Sequence, residues 1–268
     1  MDGVTVNILL LNPNMTQAVS ERLCVTAASV ASPGTVILPS TAPRGFAYIA
    51  NRAEAQIAGA IALETLAERA GSYDAAIIAA FGDPGLLAAR ELFDVPVIGM
   101  SEAAMLTACM LGQRFGIVSF AAQMAPWYEE CVATHGLTGR CAGVFCLDEP
   151  FVSVADVASE KQDALVALAM AAVAAGADVI ILAGAPLAGL AATVAHLIPV
   201  PLVDQVQAAL RQAETLVLLA PRKATSGAFR RPPAKATTGL APALAARIEH
   251  RDAESVLSER AGGGEGTQ

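Results

Sequence analysis

Residues 79–86 read AAFGDPGL, and residues 183–190 read AGAPLAGL. Each stretch follows an aspartate and a short apolar run, DAAII at 74–78 and DVIIL at 178–182, and each closes on Gly-Leu. Leu190 stands 104 positions after Leu86, and Gly184 stands 104 after Ala80. A short β-branched run that ends in a small-residue loop is how a parallel strand hands over to a helix, so the chain makes the same hand-over twice. Two similar halves facing one another would place the ligand between the matching loops.

The rest of the chain fits that period. Strands are expected at 4–11, 35–38, 75–80 and 97–99, and again at 115–120, 143–147, 179–183 and 202–203. Ala-rich helices fill the intervals, notably 16–31, 52–70, 102–110, 125–135, 154–175 and 204–218. ValProVal at 95–97 answers ValProLeu at 200–202, one position out of the common offset, which implies a one-residue indel. Strands alternating with helices predict α/β architecture: two similar lobes, each a four-stranded parallel sheet flanked by helices. The lobes are expected at 1–112 and 113–220, with the last helix able to pack back on the first lobe. Ligands in such sheets sit beyond the carboxyl ends of the strands, which puts the cleft between the lobes.

Composition narrows the function. Hydrophobic residues make up 54% and aromatics 4%, which suits helix-on-sheet packing. A net charge of −8 disfavours nucleic acid and points to a small-molecule partner. Five cysteines, at 24, 109, 131, 141 and 146, form no CxxC pair and no zinc spacing, so reduced thiols, no metal and a cytoplasmic location are expected. Neither a signal-peptide pattern nor a membrane-length apolar run appears. No phosphate loop, dinucleotide fingerprint, HExxH or GxSxG is present, and no cofactor is expected. Beyond Pro221 the pattern decays into a basic arm carrying Arg222, Lys223, Arg230, Arg231 and Lys235, with a short helix at 241–248 and a disordered tail to 268. Such an arm suits a wrap over the body or a contact in a homo-oligomer.

Taken as a set, LNPN at 11–14, AAFGDPGL, GMSEAA at 99–104 and AGAPLAGL resemble the aspartate/glutamate racemase superfamily, most closely its hydantoin and allantoin racemase branch. The resemblance spans about residues 4–220. It implies a cofactor-independent isomerase acting on a small cyclic ureide or amino-acid-like anion. It also implies two thiols, one from each lobe's third strand, on opposite faces of the acidic carbon. Those positions fall on Ala80 and on Gly184, or on Ala185 if the register slips by one. Neither carries a titratable group, so a thiol pair is not available here.

Other residues of these loops are candidates. Cys146, at the end of a strand, and the carboxylates Asp83 and Glu102 are the remaining acid/base groups. Asn12 and Asn14 offer amides to a ligand, with a turn and helix cap as the plainer role; Thr16 is a second cap candidate. Ser101 opens a helix whose free amides suit an anion. Arg44 and Tyr48 belong to a loop able to reach over the cleft. Phe81, Gly82, Ser119, Phe120, Ala185 and Asp204 stand at strand ends around it. His135 and His196 close helices and have structural roles. A decarboxylase or lyase with one proton donor, a hydrolase or isomerase with a carboxylate base, and a binding protein without catalysis remain as alternatives.

Overall fold

The computed structural model describes residues 5–252. The chain runs β1 (Val6–Asn12), α1 (Gln17–Ala28), β2 (Thr35–Thr41), α2 (Arg52–Glu68), β3 (Ala75–Ile78), α3 (Leu86–Leu92), β4 (Val97–Gly99) and α4 (Met100–Leu111). It continues with β5 (Phe115–Ser119), α5 (Ala125–Thr134), β6 (Cys141–Cys146), α6 (Val157–Glu160), α7 (Gln162–Ala174), β7 (Val179–Leu182), α8 (Leu190–Val194), β8 (Leu202–Asp204), α9 (Gln205–Leu219) and α10 (Pro242–Ile248).

The strands form two parallel four-stranded sheets, ordered β2-β1-β3-β4 and β6-β5-β7-β8. The repeat extends to register: Ile78 pairs with Gly99 in the first sheet, and Leu182 pairs with Asp204 in the second. The inner strands β1, β3, β5 and β7 are buried almost throughout, which is why they read as unbroken apolar runs.

The final helix of each half crosses over. α4 packs against β7 and β8, while α9 packs against β1, β3 and β4 and lies along α4. One hydrophobic core therefore runs from Ile8 and Ile77 through Met105 to Ile180 and Leu210.

Two sequence expectations are corrected. The helix expected over 154–175 is broken at Lys161 into α6 and α7. Thr16 stands at the N-cap of α1 but donates its hydroxyl to the Ala47 carbonyl at 2.6 Å instead of accepting from the helix. Short helices α3 and α8 fill the intervals after the two repeat loops. Val4 and the tail beyond residue 252 lie outside the described residues.

The basic arm wraps over the first lobe. Lys223 Nζ donates to the Arg90 and Glu91 carbonyls at the end of α3. Arg247 on α10 donates to the Leu92 carbonyl at 3.0 Å, pairs with Asp94 at 2.5 Å and stacks 5.4 Å over the Phe93 ring. Leu244 joins a second apolar cluster with Leu66, Leu92 and Phe93.

Candidate functional site

Both repeat loops come to one cavity between the sheets, lined by Asn14, Tyr48, Ala80, Phe81, Phe120, Gly184, Ala185 and Pro186, with Ile49, Met124 and Tyr128. Its volume is about 30 Å³. At roughly 10–15 Å³ per enclosed water, that is room for about two waters, so a ring-sized ligand enters only when the wall moves. A larger hollow of about 480 Å³ lies on the outer side of the first repeat loop, between α2 and α5. It borders one repeat loop alone, and the smaller cavity is the site that the duplication builds.

Among its described lining residues there is no Asp, Glu, Lys, Arg, His or Cys. The ionisable groups are the phenols of Tyr48 and Tyr128. Tyr128 is buried on α5, its ring 4.7 Å from that of Phe81, and burial pushes its hydroxyl far above the ordinary tyrosine range. Tyr48 Oη accepts from Gln123 Nε2 at 3.2 Å.

Gly184 has φ +107°, a conformation that a side chain resists. A Cβ built there would lie 2.8 Å from a carbon of the Phe120 ring, so that ring stands where a side chain at 184 would project. The buried Gln205 side chain accepts from the Gly184 amide at 3.0 Å and donates to the Gly184 carbonyl, fixing the turn from within. Ser119 is also buried and donates to the Ala183 carbonyl at 2.9 Å.

Asn12 serves the loop: its Nδ2 donates to Asn14 Oδ1 at 3.1 Å and Ser20 Oγ at 2.9 Å. Asn14 Oδ1 also accepts from the Thr16 amide at 2.9 Å. Asn14 itself lines the cavity.

The anion expected beside Ser101 finds its donors taken. Ser101 is fully buried, and Asp83 accepts from the Ser101 amide at 2.8 Å, the Glu102 amide at 2.9 Å and the Ser101 hydroxyl. Asp83 is thereby a cap and not a free base. Glu102 is held by Arg90 and by His135, whose Nδ1 lies 3.4 Å from its carboxylate. Burial alone would raise the Glu102 carboxyl, but hydrogen bonds from His135 and Arg90 outweigh it and hold it at about 2. His135 is raised to about 9 by its hydrogen bonds to Asp83 and Glu102. It clasps α5 to the first lobe, as does Trp127, whose ring covers Gly82.

The other candidates leave the cavity too. Arg44 is exposed and pairs with Glu64 at 2.6 Å. Asp204 is buried, accepts from the Val206, Gln207 and Gly189 amides, and is raised by burial. Cys146 is half-buried, with its thiol pushed up to about 11 by burial. Tyr128, Met124 and Gln205 were missed; each sits in a helix that reads as ordinary core.

A profile of the Asp/Glu/Hydantoin racemase family matches residues 8–213. A hydantoin racemase of Paenarthrobacter aurescens is 34% identical over 234 residues, covering 85% of this chain and 98% of that protein. The allantoin racemase of Klebsiella pneumoniae superposes with a TM-score of 0.84 at 33% identity, covering 90% of this chain and 99% of that one. The allantoin racemase of Pseudomonas fluorescens gives 0.80 at 30% identity, over 87% and 100%. Arylmalonate decarboxylase, at 17% identity and a TM-score of 0.55, shares the fold.

Proposed function

Because the chain belongs to the Asp/Glu/Hydantoin racemase family, we propose that it is a racemase-type isomerase that exchanges the proton on the acidic carbon of a small cyclic ureide held between its lobes. The observation that carries this reading is the meeting of Ala80 and Phe81 with Gly184 to Pro186 around one cavity. The proton at C5 of a hydantoin ring is adjacent to a carbonyl, and the carbanion left by its removal is delocalised onto that oxygen. The ring supplies its own electron sink, which is why the reaction is proposed to need no cofactor.

The chain's contribution is to hold the ring, exclude water and offer groups that carry a proton. A pair of thiols is not among them. The phenols of Tyr48, from the first lobe, and Tyr128, from the second, are the ionisable groups lining the cavity. The Asn14 amide is the polar group placed to hold a ring carbonyl. Free cysteines support a reducing, cytoplasmic setting. Exposed Met110, Leu218 and Leu219, on the adjoining helices α4 and α9, support self-association. No helix among the described residues is long and apolar enough to cross a membrane.

The test is proton exchange at C5 of 5-methylhydantoin in D₂O, followed by NMR with and without full alkylation of the cysteines. Exchange above the buffer rate that survives alkylation is expected. Loss of exchange on alkylation would return the chemistry to a thiol, and no exchange at all would remove the enzymatic reading.

A further inference from the structure

The cavity wall beside Gly184 is aromatic on both sides of the lobe boundary. Tyr48, which lines the cavity, comes from the loop between β2 and α2, and Phe151, which packs against the lining rings without being one of them, comes from the corresponding loop between β6 and α6. Their rings meet edge to face, with centroids 6.0 Å apart and planes at 71°. Phe151 makes a second such contact with Phe120, at 5.4 Å and 81°. Phe120 in turn stands against Gly184, so the three rings run from the lobe boundary down to the second repeat loop.

We propose that Tyr48, Phe120 and Phe151 form the subsite for the substituent on the reacting carbon, and that they select an apolar, aryl-bearing ring over one that carries a ureido group. The proposal rests on the cyclic-ureide reading of the cavity. An aryl group can take up the edge-to-face contacts that the three rings make with one another, so parting the rings to admit it forfeits little. A ureido group brings three N–H donors and a carbonyl. The polar side chains lining the cavity are the Tyr48 hydroxyl, already accepting from Gln123, the buried Tyr128 hydroxyl, which donates to Met124 Sδ at 3.4 Å, and Asn14, whose Oδ1 already accepts twice. Each ureido donor left unpaired in such a wall costs about 1–3 kcal/mol. No cationic side chain among the lining residues offers the carbonyl a charge-assisted partner. An apolar pocket rejects a guest that adds a single hydroxyl by about a hundredfold, which sets the scale of preference expected here.

The experiment measures kcat/KM for C5 exchange with 5-benzylhydantoin and with allantoin, alongside the rise in melting temperature that each produces. The wild-type protein is expected to favour 5-benzylhydantoin at least tenfold on either readout. Phe151→Ala should cut that ratio about tenfold, and Phe151→Leu should restore part of it. A wild-type preference for allantoin, or a ratio unchanged in Phe151→Ala, would overturn the subsite. If neither ring exchanges but 5-benzylhydantoin alone stabilises the protein, the subsite stands and the racemase reading falls. If both exchange equally well and stabilise equally, the racemase reading stands and the subsite falls.

Discussion

Asp83 and Asp204 fasten the same joint from opposite ends. Asp83 reaches from the loop after β3 to the amides of Ser101 and Glu102, whereas Asp204, at the end of β8, binds the amides of Val206 and Gln207 and reaches back to Gly189. Gly99 holds the register position of Asp204, and a Cβ on it would lie 2.3 Å from the Asp83 carboxylate. Each lobe has room for one carboxylate at this place. Asp83→Ala or Asp204→Ala should each cost about 2–4 kcal/mol, because two helix amides lose their partner. Gly99→Asp alone should destabilise by crowding two carboxylates together. Combined with Asp83→Ala, which removes the crowding carboxylate, it should regain part of that loss, and urea unfolding of the four proteins measures the coupling.

His135 makes the stability of the interlobe clasp depend on pH. Its folded-state value of about 9 lies above the unfolded value of about 6.5. Its contribution is therefore complete below pH 6.5 and is lost as pH rises through 9. The groups facing it are the carboxylates of Asp83 and Glu102, with Arg90 behind Glu102. Denaturation midpoints of the wild type and His135→Asn should converge between pH 6.5 and 9, and a constant gap across that window would refute the assignment.

Ala80 and Gly184 should accept cysteine unequally. Ala80→Cys should fold with a melting temperature close to that of the wild type. Gly184→Cys meets both a strained backbone and the Phe120 ring, and should cost about 2–5 kcal/mol. Adding Phe120→Ala, measured against Phe120→Ala alone to remove the cost of the emptied ring site, should relieve the clash but not the backbone strain. Calorimetric melting of these variants separates the two contributions.

Cys131 and Cys146 should be slow nucleophiles. Burial raises Cys146 to about 11 and Cys131 to about 12. At pH 8 the thiolate fraction of Cys146 is then about one in a thousand. Reaction with a disulfide reagent should accelerate steeply between pH 8 and 11; rapid labelling at pH 7 would contradict the burial argument.

Which features could be read from the sequence follows from the range of the interactions. The two sheets and the repeat were legible because a strand and its loop are local patterns, and DAAII followed by AAFGDPGL shows both. The loop residues that gather at the cavity, Asn14, Tyr48, Phe81 and Phe120 among them, follow from the same rule about strand ends. The fate of the Ser101 amides was not legible, because Asp83 lies 18 residues away and its reach depends on Gly99 lacking a side chain. Gln205 escaped notice for a similar reason: its clamp on Gly184 spans 21 residues and sits in a helix start that looks like any other. Tyr128 and Trp127 read as core because they are core, and only the packing of α5 against the first repeat loop brings Tyr128 to the cavity.

The placement of α9 and α10 sets an order of events during synthesis. Both cover the first lobe, yet both leave the ribosome after the whole second sheet. At about 5–20 residues per second, the first sheet waits roughly 7 to 30 s between its own completion and the arrival of Leu244. Through that interval the cluster of Leu66, Leu92 and Phe93 has its first-lobe neighbours but lacks the cover that Leu244 gives it, so the first lobe is expected to finish packing only after the second has been made.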